Sequence, residues 1–261
     1  LCNEIETSNG IAYDMWRYLR EAGSKYITNF FRFVNYHWFD NELGSDQGCN
    51  RNIDPPEAIP NTLLFDPIEG EISLAQWKAR YKTDVTTASL TKNTVALIFY
   101  KSHLQSGNTA AFDEFSTLLY ETGLTPLTIV VNSLKDTASL DRVSIILEQS
   151  DAQLVINTTG FSVRSQENES LSSLPTMDTI PYHGDLPIIQ AIASSSSEED
   201  WLEYSQGLRA RDMAMNVALP ELDGRIISRA ITFKETSEYS DLCQVDQIIY
   251  RLHRERAQFV A

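Results

Sequence analysis

From Gly10 to Phe39 apolar residues recur at spacings of three and four, with Tyr13, Trp16 and Leu19 followed by Ile27, Phe30, Phe31 and Val34. That period lines one face of an α-helix, and Gly23 interrupts it, so two helical pieces are expected. Between Asn41 and Asn61 the period is lost among Gly44, Gly48, Pro55, Pro56 and Pro60. Such punctuation predicts a long irregular connector and a domain boundary. From Thr94 the register changes. Short apolar runs at 95–100, 127–131, 154–157, 186–192 and 226–233 alternate with helical patterns at 109–121, 139–149, 198–204 and 209–217. Strands that alternate with helices build a parallel sheet with crossover helices, buried on both faces.

The fold class this predicts is α/β, a doubly wound and mainly parallel sheet of Rossmann or flavodoxin-like type, preceded by a small helical segment. The organisation expected is a helical lead and connector over 1–60, a linker over 61–93, the α/β domain over 94–236 and a helix over 237–261. A polar tract from Ser162 to Asp185 is too long for a βα turn, and reads as a lid or a disordered insertion. The chain opens on Leu1 and closes on an amphipathic pattern without a stop signal, Tyr250 to Ala261, so a larger parent and a further domain are expected.

Composition narrows the function. The 261 residues are 42% hydrophobic and 22% charged, enough for one substantial domain with an appendage. With 36 acidic residues against 21 basic ones and a formal charge of −15, the surface repels phosphates, which argues against nucleic acid or an anionic membrane as partner. Cys2, Cys49 and Cys243 are odd in number and far apart, which suggests neither a disulfide framework nor a structural zinc site and fits a reducing, cytoplasmic setting. No apolar run approaches the ~20 residues of a membrane span.

In an open parallel sheet, ligands bind beyond the carboxyl ends of the strands. After the first strand of the expected α/β domain comes Lys101-Ser-His-Leu-Gln-Ser-Gly-Asn-Thr109, where Ser106, Gly107, Asn108 and Thr109 lead into a helix whose free N–H groups suit a carboxylate. Asn132-Ser133 and Thr158-Thr159-Gly160 follow the next two strands. These residues are either a polar rim around a ligand or ordinary turn chemistry. His103 stands at the end of a buried strand, as a metal ligand, a proton shuttle or a satisfied core histidine. The densest stretch runs from Arg209 through Asn216 to Pro220-Glu-Leu-Asp-Gly-Arg225. Proline is expected to end its helix, leaving Glu221 and Asp223 as hard oxygen donors and Arg225 as a partner for a substrate carboxylate, or else a solvated turn.

Three segments carry a family resemblance: Val95 to Thr109, Val155 to Phe161, and Arg211 to Arg225 followed by Ile231-Thr-Phe-Lys-Glu235. They resemble, in order and spacing, the large-subunit family of cobalt and magnesium chelatases, from about Pro60 to the C-terminus. The resemblance implies an internal piece of a subunit that binds a tetrapyrrole, such as a corrin precursor of the hydrogenobyrinic acid diamide kind. It further implies insertion of Co2+ in cobalamin biosynthesis, with an AAA+ ATPase subunit and a second small subunit as partners. Gly107-Asn108-Thr109 resembles the cobalt branch rather than the magnesium branch, in which the metal would be Mg2+. Glu221 matches a cavity glutamate of the family and His103 also matches a family position, so both are expected as catalytic residues and metal contacts. Ser106, Gly107, Asn108, Thr109, Thr159, Gly160, Asn216 and Arg225 are expected around the substrate. The alternative is a non-catalytic scaffold for the chelatase subunits.

The sequence has no Walker A pattern G-x-x-x-x-G-K-[ST], and in the resembling family ATP is hydrolysed by a partner. The purified chain is therefore expected to release no phosphate from ATP above background and to insert no metal. ATPase activity that co-purifies with the chain through successive columns would contradict this.

Overall fold

A computed structural model describes residues 2–39, 53–82, 93–163, 186–203, 205, 207–236, 246 and 248–261, without the side chains of 2–9 and 24. The expected lid or insertion lies almost wholly outside the described residues. Two compact units emerge, Leu1–Pro60 with Ser102–Gly107, and Asn61–Lys101 with Asn108–Ala261.

In the first unit, helices α1 (Cys2–Glu21) and α2 (Gly23–Trp38) are separated at Ala22, whose φ is 53°. The expected break near Gly23 is thus found one residue earlier. Irregular chain after α2 is stitched back to α1: the buried Tyr18 hydroxyl donates to the Asp54 carbonyl at 2.6 Å, and Glu21 Oε2 accepts from the Ile59 N–H at 3.0 Å. Gln105 Nε2 donates to the Glu21 carbonyl at 3.0 Å, which fastens residues 102–107 to the same unit.

The second unit is built on one eight-stranded sheet. Its elements are β1 (Thr62–Asp66), β2 (Gly70–Ile72), α3 (Leu74–Tyr81), β3 (Thr94–Tyr100), α5 (Ala110–Glu121), β4 (Thr125–Val131), α6 (Thr137–Ser150) and β5 (Ala152–Asn157), while α4 (Lys101–Gln105), between β3 and α5 in sequence, belongs from Ser102 onward to the first unit. There follow β6 (Ile188–Ser197), α7 (Glu198–Glu203), α8 (Ala210–Met213), a π-helical segment (Ala214–Ala218), α9 (Leu219–Leu222), β7 (Ile226–Thr236), β8 (Ile248–Leu252) and α10 (Arg254–Gln258). The strand order is β2-β1-β4-β3-β5-β6-β7-β8, with β4, β3, β5, β6 and β7 parallel and antiparallel strands added at both edges. Among the five parallel strands this is the flavodoxin-like order 2-1-3-4-5, whose switch point lies between β3 and β5.

Period-two alternation divides β3 between two cores. Ala96 and Ile98 join Leu127, Ile129, Val143, Ile146 and Trp77 on the face covered by α3 and α6. Val95 and Leu97 join Phe115, Leu118, Leu119 and Ala257 on the face covered by α5 and α10. Residues 96–99 are fully buried, the environment that a continuous apolar run at the centre of a parallel sheet requires.

Two expectations are corrected. Residues 61–93 were expected as a linker, but Thr62–Asp66 and Gly70–Ile72 form an edge hairpin. Asp66 Oδ1 accepts the Ile68 and Glu69 N–H groups at 2.9 and 3.0 Å and closes its turn. Behind it α3 opens on a capping box, Ser73 with Gln76, and Trp77 sits 2% exposed with its indole N–H donating to the Pro126 carbonyl at 2.9 Å. Of the C-terminal helix expected over 237–261, the described residues from Ile248 form instead the edge strand β8 followed by the short α10, the backbone of Ile248–Leu252 pairing antiparallel with β7.

Trp77→Ala should destabilise the chain by about 3–5 kcal/mol, the range for removing a buried Trp. Urea denaturation followed by far-UV circular dichroism measures it. A midpoint equal to wild type would mean that this segment is no part of the core.

Candidate functional site

Loops at the carboxyl ends of β3, β4 and β5 enclose a cleft of about 360 Å3, next to the switch point of the sheet. Its lining includes Tyr100 at the end of β3, Asn132, Ser133 and Lys135 after β4, and Thr159 and Phe161 after β5. A second cavity of about 300 Å3, around Asp66, Arg80, Tyr81 and Pro126, opens near the opposite, amino end of β4. There the polar groups satisfy one another: Asp66 accepts from Arg80 Nη1 and the Tyr81 hydroxyl, and burial, reinforced by Asp66, pushes the Tyr81 phenol up to about 12. The carboxyl-end cleft is the candidate site.

Its β5 loop is gripped residue by residue. The Thr158 hydroxyl donates to the Ile98 carbonyl at 2.8 Å. The Tyr100 hydroxyl donates to the Gly160 carbonyl at 3.0 Å, and burial raises this phenol above the ordinary tyrosine range, so it remains a donor at neutral pH. Gly160 lies so close to the π-helical segment that an added Cβ would stand 3.1 Å from Asn216 Oδ1 and 3.2 Å from the Met215 carbonyl oxygen. Phe161 N–H donates to that same Met215 carbonyl at 2.8 Å.

Beneath the loop runs a buried polar network. Asn157 Nδ2 donates to Gln190 Oε1 at 2.9 Å and to the Thr159 carbonyl at 3.0 Å, and Gln190 Nε2 donates to that carbonyl as well. Arg225 Nη1 donates to Gln190 Oε1 at 2.8 Å, while its Nη2 meets Asp223 Oδ2 at 2.8 Å. Both side chains of this ion pair are 0% exposed. Asp223 also accepts from the Ser162 hydroxyl at 2.5 Å and the Val163 N–H at 2.8 Å. A buried carboxylate with a cation and two neutral donors has its lone pairs satisfied, which is what keeps a buried charge tolerable.

Pro220 was expected to end its helix, but the structure corrects this. Ala214–Ala218 widens into a π-helical turn in which Leu219 N–H reaches back to the Ala214 carbonyl, and α9 continues through Pro220. In that register the next donor would serve the Met215 carbonyl, and proline has no N–H to give. The vacant acceptor is the one Phe161 uses.

The candidate residues from the sequence divide among several environments. His103, Ser106 and Gly107 belong to the helical unit, on α4 and the turn after it. The Ser106 hydroxyl donates to the His103 carbonyl at 3.2 Å. Asn108 and Thr109, expected at the substrate, make hydrogen bonds within the chain. Asn108 Oδ1 accepts the Tyr250 N–H at 2.9 Å, and the Thr109 hydroxyl donates to Asp113 Oδ2 at 2.9 Å. Thr159 and Gly160 do line the cleft, and Asn216, 8% exposed, backs Gly160. Arg225, expected to face a substrate carboxylate, is enclosed and paired with Asp223 instead. Glu221, expected as a catalytic residue and metal contact, is exposed, and the shielded carboxylate of the turn is Asp223. Among the described residues no three His, Cys, Asp or Glu side chains converge to hold a metal ion, and no helix is long and apolar enough to cross a membrane.

Sequence reasoning missed Tyr100, Lys135, Asn157 and Gln190. The last two carried a signal: an amide inside an apolar strand run, Ile188-Ile-Gln-Ala-Ile192, is costly to bury without partners and so marks a network.

Asp223→Ala should cost about 3–5 kcal/mol, because it removes the counter-charge of the buried Arg225. The double variant Asp223→Ala/Arg225→Met should recover part of the loss. Thermal and urea unfolding of the three proteins gives both values; equal stabilities would remove the pair from its central place.

Comparison with known proteins identifies the family. The family model described as CobN/Magnesium Chelatase matches residues 16–261. The aerobic cobaltochelatase subunit CobN of Pseudomonas aeruginosa is 39% identical over 246 residues, 94% of this chain and 18% of that protein; CobN of Sinorhizobium sp is 30% identical over 95% of this chain. The magnesium-chelatase subunit ChlH of rice is 26% identical over 50% of this chain. In fold, the chain is similar to the catalytic subunit of cobaltochelatase from Mycobacterium tuberculosis, with a TM-score of 0.65 and 23% identity, covering 96% of this chain and 19% of that one. The chain thus spans under a fifth of the length of the proteins it matches most fully, and over residues 16–261 it belongs to the CobN/magnesium chelatase family.

Proposed function

We propose that this chain is the part of a cobaltochelatase large subunit that holds one side of a tetrapyrrole, at the carboxyl-end cleft of its sheet. The observation that carries this reading is the cleft itself: it sits where doubly wound sheets bind ligands, and a loop held by several hydrogen bonds forms its wall. The whole subunit inserts Co2+ into a corrin precursor of the hydrogenobyrinic acid diamide type. ATP is hydrolysed by an AAA+ partner, a second small subunit completes the assembly, and the setting is cytoplasmic. Cobalt is preferred to Mg2+ because the CobN relatives match 94–95% of the chain, against 50% for the magnesium-chelatase subunit.

Metal insertion must displace N–H protons of the macrocycle and strip water from a divalent ion. Glu221 and His103 are the side chains assigned to these steps in this reading. Glu221 stands two residues before the buried Asp223, on the solvent side of the same turn, where a carboxylate is free to act as base or as a transient oxygen ligand.

In the complete subunit assembled with its partners, Glu221→Gln should lower metal insertion by about two to four orders of magnitude, the range for losing an acid or base. Tetrapyrrole affinity should stay within a few fold, since shape and hydrogen bonding are kept. Insertion rates and fluorescence titration read the two quantities. Near-normal insertion with assembly and ATPase intact would reduce Glu221 to a turn residue.

A further inference from the structure

Phe161 carries a backbone conformation that bulky residues rarely adopt, with φ at 67°. Among the described residues two other non-glycines have positive φ, Ala22 and Asp151, and both stand at helix ends where such turns are common. Phe161 is in a loop, and its side chain is 40% exposed, so burial offsets little of the steric cost. The surroundings leave it no alternative. Its N–H is held by Met215, the preceding carbonyl by Tyr100, and the next two residues by Asp223. What this over-determined loop achieves is the placement of an aromatic ring in the lining of the cleft.

A cation accompanies the ring. Lys135 Nζ lies 5.0 Å from the Phe161 ring centroid, within cation–π range, and lines the same cleft. Among the described residues its ammonium meets no carboxylate within ion-pair distance. In a chain with 36 acidic residues, a lysine that pairs with a ring rather than a carboxylate keeps its charge available to a ligand.

We propose that Phe161 and Lys135 form a specificity contact for a planar, conjugated ligand with a carboxylate at its edge, the ring taking the apolar face and the ammonium the anion. The proposal rests on the tetrapyrrole reading and deepens it: of the macrocycle's features, the edge carboxylate and the flat face are those this cleft selects.

The test uses the full-length subunit and two probes, deuteroporphyrin, which bears two propionates, and the same porphyrin with both propionates amidated. Fluorescence titration should show wild type preferring the carboxylate form. Phe161→Gly should weaken both probes about tenfold, the loss of one stacked aromatic contact, while the thermal midpoint stays level or rises because glycine suits the positive φ. Phe161→Tyr should restore binding. Lys135→Gln should weaken the carboxylate probe by up to about fivefold and leave the amide unchanged, so the preference disappears. A lowered midpoint with unchanged affinity in Phe161→Gly would make the ring a packing group and overturn the proposal. A preference that survives in Lys135→Gln, or is absent from wild type, would overturn it too. If wild type binds neither porphyrin, the contact for a flat, carboxylate-edged ligand is overturned, while the tetrapyrrole reading is tested separately by the same titration with a metal-free corrin bearing free carboxylates, whose failure to bind would overturn that reading.

Discussion

Two opposite charges with no exposed side-chain surface, Asp223 and Arg225, fix the architecture of the carboxyl-end rim. Arg225 precedes β7 by one residue, and its guanidinium reaches under the rim to Gln190 of β6 and the Thr159 carbonyl after β5. Asp223 reaches the other way, to Ser162 and Val163. Burying a carboxylate and a guanidinium together is tolerable only when most of their hydrogen-bonding directions are used, which draws three strands and a helix exit into one arrangement, with Arg225 Nε left without a partner among the described residues. The β5 loop has no comparable freedom: its shape is the shape that completes the pair.

This constraint also explains how one short turn serves two purposes. In Pro220-Glu-Leu-Asp-Gly-Arg225 the carboxylates alternate in direction, Glu221 toward solvent and Asp223 into the rim. The inner one is committed to the fold by its three partners. The outer one has no share in that network, and so its chemistry and the stability of the turn are separable by substitution.

The parallel core was legible in the sequence because strands buried on both faces must be apolar without interruption, as residues 95–99 are. The edge strands were not legible for the same reason in reverse. In β1 and β2 the apolar residues are broken by Pro67 and Gly70, and in β8 Ile248 and Arg251 point to solvent, so neither leaves a run long enough to separate strand from linker or helix. The cleft was half legible. Thr159 and Gly160 were found by position in the topology, but Arg225 was misread because an arginine near a turn is ordinarily exposed, and its enclosure depends on Asn157 and Gln190, far away in sequence. The hydrogen bonds of Asn108 to Tyr250 and of Thr109 to Asp113 were not legible, because turn hydroxyls and amides look alike whether they face a ligand or the chain.

The π-helical turn at Ala214–Ala218 has a consequence for how this segment tolerates change in length. Five residues fill the place of a shorter α-helical turn, and the surplus residue sets Pro220 five residues after Met215, whose carbonyl its missing N–H leaves to Phe161. Deleting Asn216, Val217 or Ala218 would shorten the spacing from Met215 to Pro220 to four, where α-helical register sets the proline ring against the Met215 carbonyl. That carbonyl would have to turn aside, and Phe161 would lose the acceptor that holds it. In this stretch the chain is sensitive to residue number before it is sensitive to residue identity, so a one-codon deletion here is a heavier lesion than most substitutions.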